Sequence, residues 1–306
     1  MVAAAEESAA PAGLAAYLDE IAPTALLIRH NGRMLASHGD LARKVSVASV
    51  RKSLLGALYG IAIAEGRIRL DATLGELGID DVAPALTVEE KRATVSDLLA
   101  ARSGIYHIAG YETAEQRRTR PERGSHPPGS FWFYNNWDFN TLGTIYRQQT
   151  GEDIFESFER RIARPAGMQD FAARDGRYVG DARSRHQAYI FSLSTRDMLR
   201  FGEVILAEGR WEGREIVPAS WLAQSLTARS RTHRGHLGYG YLWWVLDPAV
   251  FGAGAGFAAG YGGQYIAVVP RYGLVLAQTV ESRPGRGRSR GMVRFLRGLV
   301  ETMPHP

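Results

Sequence analysis

Residues 49–65 read SVRKSLLGALYGIAIAE, with Gly66 next. Apolar residues run almost unbroken from Leu54 to Ala64, which predicts a helix buried on most of its sides. Gly66 supplies the stop. Ser49 stands where this helix begins, near the positive end of its dipole. Lys52 follows one turn later, so the two side chains share a face. A serine becomes a useful nucleophile when a neighbouring base takes its proton. An amine can do so if burial or nearby positive charge keeps it neutral. Arginine cannot, because it stays protonated. That distinction matters here, because only three of the 37 basic residues are lysines, Lys44, Lys52 and Lys91. Chance alone would place a serine three residues before a lysine about 0.2 times in such a chain. Taken singly, the pair reads equally well as a surface lysine on a helix.

The elements around this helix come from both ends of the chain. Residues 14–22 show a short amphipathic helical pattern. Residues 24–38 (TALLIRHNGRMLASH) place two apolar runs around Asn31-Gly32, a strong hairpin signal because both turn positions favour positive φ. Residues 239–246 (YGYLWWVL) read as one strand, and 264–269 and 273–280 as two more, joined at Pro270-Arg271-Tyr272. Residues 287–302 form a basic amphipathic helix. The middle, roughly 70–235, reads as helices and loops. Its helices are predicted at 96–101, 137–149, 152–163, 195–208 and 218–228, with a long polar loop over 112–130. Strands at both ends with helices between give an α+β fold, an antiparallel sheet built from both chain ends and flanked by helices, with a mostly helical insert lobe. Residues 1–13 are expected to be a flexible leader and 14–306 a single domain. Its α/β lobe spans about 14–70 and 236–306, and its helical lobe about 71–235.

Composition removes several functions. With no cysteine among 306 residues, disulfides, thiolate metal sites, iron–sulfur clusters and thiol nucleophiles are absent. The histidines show no ligand spacing such as His-x-x-x-His, so no metal site is expected and no cofactor. His107, after Ser103-Gly104, reads as a structural hydrogen bonder. A net charge of +5 is modest. The arginine clusters at 117–123, 229–234 and 283–297 lack interleaved aromatics and read as solvated surface, so no nucleic-acid partner is expected. No apolar stretch approaches the roughly 20 residues of a membrane helix, so no membrane partner is expected. The N-terminus MVAAAEESAAPAG carries no basic residue and no long apolar core. It does not read as a signal peptide, and a cytoplasmic location is the expectation. Oligomeric state leaves no mark in the sequence.

Two further stretches bear chemistry-capable residues. Three of the four asparagines crowd into 135–140, beside Tyr134. A phenol beside an ammonium can relay protons, and Asn136 can donate to a substrate carbonyl or to the lysine. Tyr134 also reads as a tyrosine in an aromatic cluster, with the asparagines capping the next helix. Tyr261-Gly262-Gly263-Gln264 precedes an apolar strand, and paired glycines at a strand edge mark close approach by a ligand or backbone.

The order of these three motifs resembles that of the serine β-lactamase and penicillin-binding-protein superfamily, in its class C-like branch of esterases, D-amino-acid peptidases and 6-aminohexanoate-dimer hydrolase. Stretches such as LLAARSGIYH (98–107), STRDMLRFG (194–202) and GYGYLWW (238–244) carry the likeness over roughly 14–300. The resemblance implies a β-lactamase/transpeptidase-like fold and a covalent acyl-enzyme on Ser49. Lys52 and Tyr134 would share general-base and general-acid work, Asn136 would orient substrate, and the backbone N–H groups of Ser49 and Gln264 would form the oxyanion hole. Tyr261, Gly262 and Gly263, with Tyr106 and Trp132, would wall the substrate pocket. One departure stands out: penicillin-recognising members usually carry Lys-Thr-Gly where this chain has Tyr261-Gly262-Gly263. A phenol supplies no cation for a substrate carboxylate, which favours a small-molecule ester or amide as substrate. The alternatives are a β-lactamase, a D,D- or D-amino peptidase, an acyltransferase to a small acceptor, or a non-catalytic or nucleic-acid-associated protein on this scaffold.

Overall fold

The structure, a computed structural model, describes residues 11–82, 84–281 and 291–304. Most of the expected leader, and residues 287–290 of the expected C-terminal helix, lie outside them. An eight-stranded sheet forms one half, in the order Arg33–Gly39, Ala25–His30, Leu274–Thr279, Gln264–Val269, Gly256–Gly260, Trp244–Val245, Gly238–Tyr239 and Ser230–Arg231. Neighbours are antiparallel throughout. The first hairpin turns at Asn31 (φ 48°) and Gly32 (φ 75°) as its sequence predicts. Strand Ala25–His30 then pairs with Leu274–Thr279, Ala25 facing Thr279, so the sheet joins both ends of the chain.

Helices cover both faces of the sheet. Helix Thr195–Leu206, capped by the Ser194 side chain, packs against strands Gln264–Val269 and Leu274–Thr279. Gly202 permits the approach, since a Cβ there would stand 2.6 Å from Val275 Cγ1. Gln278 points the other way, by the alternation of side chains along a strand. There it accepts a hydrogen bond from the Tyr17 hydroxyl at 2.6 Å. Tyr17 belongs to helix Leu14–Ile21, and it stacks at 4.2 Å on Phe295 of helix Gly291–Thr302.

The helix Arg51–Ala64 runs through the middle, with every residue from Arg51 to Gly60 buried. Trp221 donates its indole N–H to the Gly56 carbonyl at 2.7 Å, and the Tyr59 hydroxyl donates to Leu142 O at 2.7 Å. Helix Asn136–Thr150 lies against it and against strand Ser184–Leu193. Gly66, at φ 70°, follows the helix end.

Two sequence readings change. Residues 239–246 are not one strand: Gly238–Tyr239 and Trp244–Val245 pair with each other across a turn. Leu242 takes φ 60° there, and Gly240 lies so close to Ser225 O that a Cβ would stand 2.0 Å from it. The middle of the chain also contains strands. Gly176–Asp181 and Ser184–Leu193 form a hairpin that pairs with Val45–Ser46 in a three-stranded sheet. Ser184–Leu193 alternates only in its first half and is buried on both faces beyond it, so its period-2 signal is weak.

Candidate active site

Ser49 sits in the short 3-10 turn Ala48–Val50 that leads into helix Arg51–Ala64. The turn is held from two sides. Val47 N–H donates to Phe191 O at 3.0 Å. On the other side lies strand Gly256–Gly260, where a Cβ on Gly260 would stand 2.3 Å from Val47 O. Ala48 takes φ 47°, rare for a residue with a side chain, immediately before the serine. Such strain persists only where surrounding structure imposes it, and it gathers at functional sites.

Lys52 is 1% exposed. Its Nζ donates to Ser49 Oγ at 2.7 Å and stands 4.8 Å from the Tyr134 ring centroid and 4.7 Å from that of Phe139. Burial lowers its pKa well below the ordinary lysine value, and the neighbouring Arg51 guanidinium lowers it further. Arg51 is fully buried, with Nη2 donating to Asn140 Oδ1 at 2.9 Å and its guanidinium 4.3 Å from the Tyr189 ring. Helix Asn136–Thr150 thus supplies the acceptor that orients the cation, and the cation helps to keep the amine neutral.

The Tyr134 ring lies 4.8 Å from Lys52 Nζ, beside Ser49. Burial raises its pKa, opposed by its interaction with the Ser49 side chain and by the charges of Arg51 and Arg234. Its ring stacks on Trp244 at 5.4 Å and meets Tyr239 and Phe139 at 5.8 and 4.8 Å. Ser49, Lys52 and Tyr134 therefore meet beside a cluster of aromatic rings.

The other expected site residues fall into two groups. Gly262 (φ 90°) and Gly263 (φ 106°) make the turn between strands Gly256–Gly260 and Gln264–Val269, beside the Ser49 turn. Tyr261 on this turn is 58% exposed. The Gln264 side chain is tied to Val280, donating to its carbonyl and accepting from its N–H at 2.9 Å. Trp132 packs beside Tyr239 at 5.7 Å and Trp244 at 6.0 Å. Asn136 and Tyr106 have other partners. Asn136 Nδ2 donates to Tyr111 O, and its Oδ1 accepts from Gln116 Nε2 at 3.4 Å, in a short helix Ala114–Arg118 that stands where a loop is expected over 112–130. Tyr106 is buried, with its hydroxyl 3.0 Å from His126 Nδ1. Asn135 caps the helix by accepting from Asp138 N–H at 2.9 Å. His107 stands 3.6 Å from Glu90, outside this cluster.

Sequence reading missed Arg51, Phe139, Trp244 and Arg234. Arg234 is exposed, as its arginine cluster reads, and its guanidinium stands 4.9 Å from the Trp244 ring centroid. Among the described residues no group of acidic and histidine side chains could hold a metal ion, and no helix is long and apolar enough to cross a membrane.

Comparison with known proteins bears on the family and the fold. The family model described as Beta-lactamase matches residues 16–298. A protein from Bacillus anthracis put forward as a 6-aminohexanoate-dimer hydrolase superimposes with a TM-score of 0.73 at 21% identity, over 95% of this chain and 83% of that one. The hydrolase EstCE1, which has promiscuous acyltransferase activity, gives 0.64 at 16% identity, over 94% and 95% of the two chains. A class C β-lactamase mutant gives 0.65 at 13% identity, over 95% of each chain. At these identities the three share its fold.

Proposed function

The chain belongs to the beta-lactamase family, and on that premise we propose that it is a serine hydrolase cleaving a carboxylic ester or amide through an acyl-enzyme on Ser49. The observation that carries this reading is the 2.7 Å contact between the buried Lys52 amine and Ser49 Oγ. Lys52 is held toward its neutral form, so its lone pair can take the Ser49 proton. Oγ then attacks the carbonyl carbon, and the carbonyl oxygen becomes an oxyanion. The backbone N–H groups of Ser49 and Gln264 are assigned to it. Collapse expels the alcohol or amine, which takes a proton from the Tyr134 hydroxyl, itself resupplied from Lys52. A water molecule attacks the acyl-enzyme by the same route in reverse and frees Ser49. The raised pKa of Tyr134 suits a phenol that gives a proton rather than one that first removes it.

β-Lactams rank below esters and amides in this reading, because Tyr261 supplies no cation at the third motif. A panel of short p-nitrophenyl esters, D-amino-acid amides and a chromogenic cephalosporin tests the ranking. Ester turnover should exceed cephalosporin turnover, and the opposite order would overturn it.

A further inference from the structure

Among the described residues Arg51 is the one buried arginine and Lys52 the one buried lysine, and they are adjacent in the chain. Four carboxylates of the described residues are buried too, those of Asp81, Glu90, Asp138 and Asp197. Each is engaged elsewhere. Asp81 accepts from Trp137 and Ser184, Glu90 from Arg123, and Asp138 from Ser103. Asp197 accepts from the backbone N–H groups of Gln169, Asp170 and Phe171. Arg51 is left with a neutral acceptor, Asn140 Oδ1, at 2.9 Å, while its Nε and Nη1 are buried without a hydrogen-bond partner. A charge stripped of water and given no counter-ion is costly. This one stands next to the amine that contacts Ser49.

The neutral acceptor is itself fixed by the fold. Asn140 is fully buried, and both ends of its amide are engaged. Nδ2 donates to Gly110 O at 3.0 Å, which turns Oδ1 toward Arg51. One helical turn earlier Asn136 Nδ2 donates to Tyr111 O, so the helix grips two consecutive carbonyls of one loop. On its other side that loop meets strand Gly176–Asp181, where a Cβ on Gly110 would stand 3.3 Å from Val179 O. A carbonyl oxygen has no proton to give. An ionised aspartate at 140 would therefore turn lone pairs against those of Gly110 O. An amide satisfies both neighbours, and it holds the guanidinium without cancelling its charge.

We infer that Asn140 is a positioning residue for the general base: it fixes the Arg51 cation beside Lys52 and leaves that charge uncancelled. The inference rests on the hydrolase reading and deepens it, because it says why the base is kept ready by a neutral partner two helices wide of the reaction. The titratable groups around the Lys52 amine are few. Arg51 comes from its own helix and Tyr134 from the segment before helix Asn136–Thr150, while Tyr189 of strand Ser184–Leu193 lies 4.3 Å from the Arg51 guanidinium. The two phenols are uncharged at neutral pH. The guanidinium is then the charge that the amine feels, and it opposes protonation in addition to burial.

The chain has three lysines, Lys44, Lys52 and Lys91, so NMR of protein grown on lysine carrying carbon-13 at Cε follows each titration. The Lys52 signal is the one missing from Lys52→Met. Two variants act on the Arg51 charge by opposite means. Asn140→Asp supplies it with a counter-ion, and Arg51→Gln removes it while keeping a donor for Asn140 Oδ1. Both should raise the Lys52 midpoint by about one pH unit or more. The acid limb of ester kcat/KM should move up with it. A purely structural role would lower kcat/KM and leave both midpoints where they are. That result overturns the inference, as does a midpoint that moves in only one of two folded variants. Thermal melts show which variants fold, and if Asn140→Asp does not, Arg51→Gln decides alone. If wild type turns over no ester and no acylating probe labels Ser49, the hydrolase reading has failed. The carbon-13 midpoints need no substrate, and they still decide whether Asn140 leaves the Arg51 charge acting on Lys52.

Discussion

The Lys52 amine sits 2.7 Å from the Ser49 hydroxyl, one helical turn away, and has no carboxylate within ion-pairing distance among the described residues. Burial among the Tyr134 and Phe139 side chains strips it of water, and with the Arg51 cation beside it this makes a charged amine unfavourable. Lys52→Met keeps the length and apolar stem but removes the base. It should lower ester kcat/KM on the order of 10³-fold while leaving the melting temperature unchanged or higher. Lys52→Arg puts there a cation that cannot give up its proton and should be equally inactive. Retained turnover in the arginine variant would exclude a proton-accepting amine.

The pH profile follows from the same environments. Lys52 must be neutral to accept a proton, so kcat/KM should rise with pH through a pKa well below the ordinary lysine value. Tyr134 must keep its proton, so the alkaline fall should lie above the ordinary tyrosine value of about 10. Tyr134→Phe should abolish most activity and remove that alkaline limb from whatever remains. Steady-state rates across pH measure both limbs.

Asp138 gives a stability signature separate from catalysis. Burial pushes its carboxyl up to about 8, although it accepts from the Ser103 hydroxyl at 2.5 Å. A raised folded-state pKa stabilises the protein fully below the unfolded value of about 3.9, and that contribution is lost as pH rises through the folded value. Asp138→Asn, which stays neutral, should therefore gain stability relative to wild type from about pH 5 to about pH 9, by on the order of 1 kcal/mol or more. Melting temperatures at those two pH values measure the difference. An equal offset at both would place the carboxyl's pKa near normal.

Gly260 links packing to the site. Its missing Cβ makes room for Val47 O, two residues before Ser49. Gly260→Ala should cost about 1–3 kcal/mol by overpacking and lower kcat/KM as the serine turn shifts. Gly180→Ala, whose Cβ finds nothing nearer than 3.6 Å, is the control and should be close to neutral. Chemical denaturation and ester rates together test this.

What could be read from sequence follows the reach of the interactions. The Asn31-Gly32 turn and the helix after Ser49 are set by residues adjacent in the chain, and both form as the pattern predicts. The Ser49–Lys52 pair is likewise one turn of one helix. Gly238 to Leu246 resembles a strand in its apolar run, while its bend answers to Ser225, which meets Gly240 and Tyr241, and to Leu99, whose carbonyl accepts from Leu242 N–H. Arg51 carries no local sign of its role, which depends on Asn140 and Tyr189 folding against it. Arg234 is exposed as its cluster suggests, while its place over Trp244 depends on the tertiary fold.

The central claim is an acyl-enzyme on Ser49, and mass spectrometry of the intact protein after treatment with a serine-acylating probe tests it most directly. Peptide mapping should place one added acyl group on Ser49, with labelling lost in Ser49→Ala and strongly slowed in Lys52→Met. Undiminished labelling of Ser49→Ala, or an adduct mapped to any other residue, would contradict it.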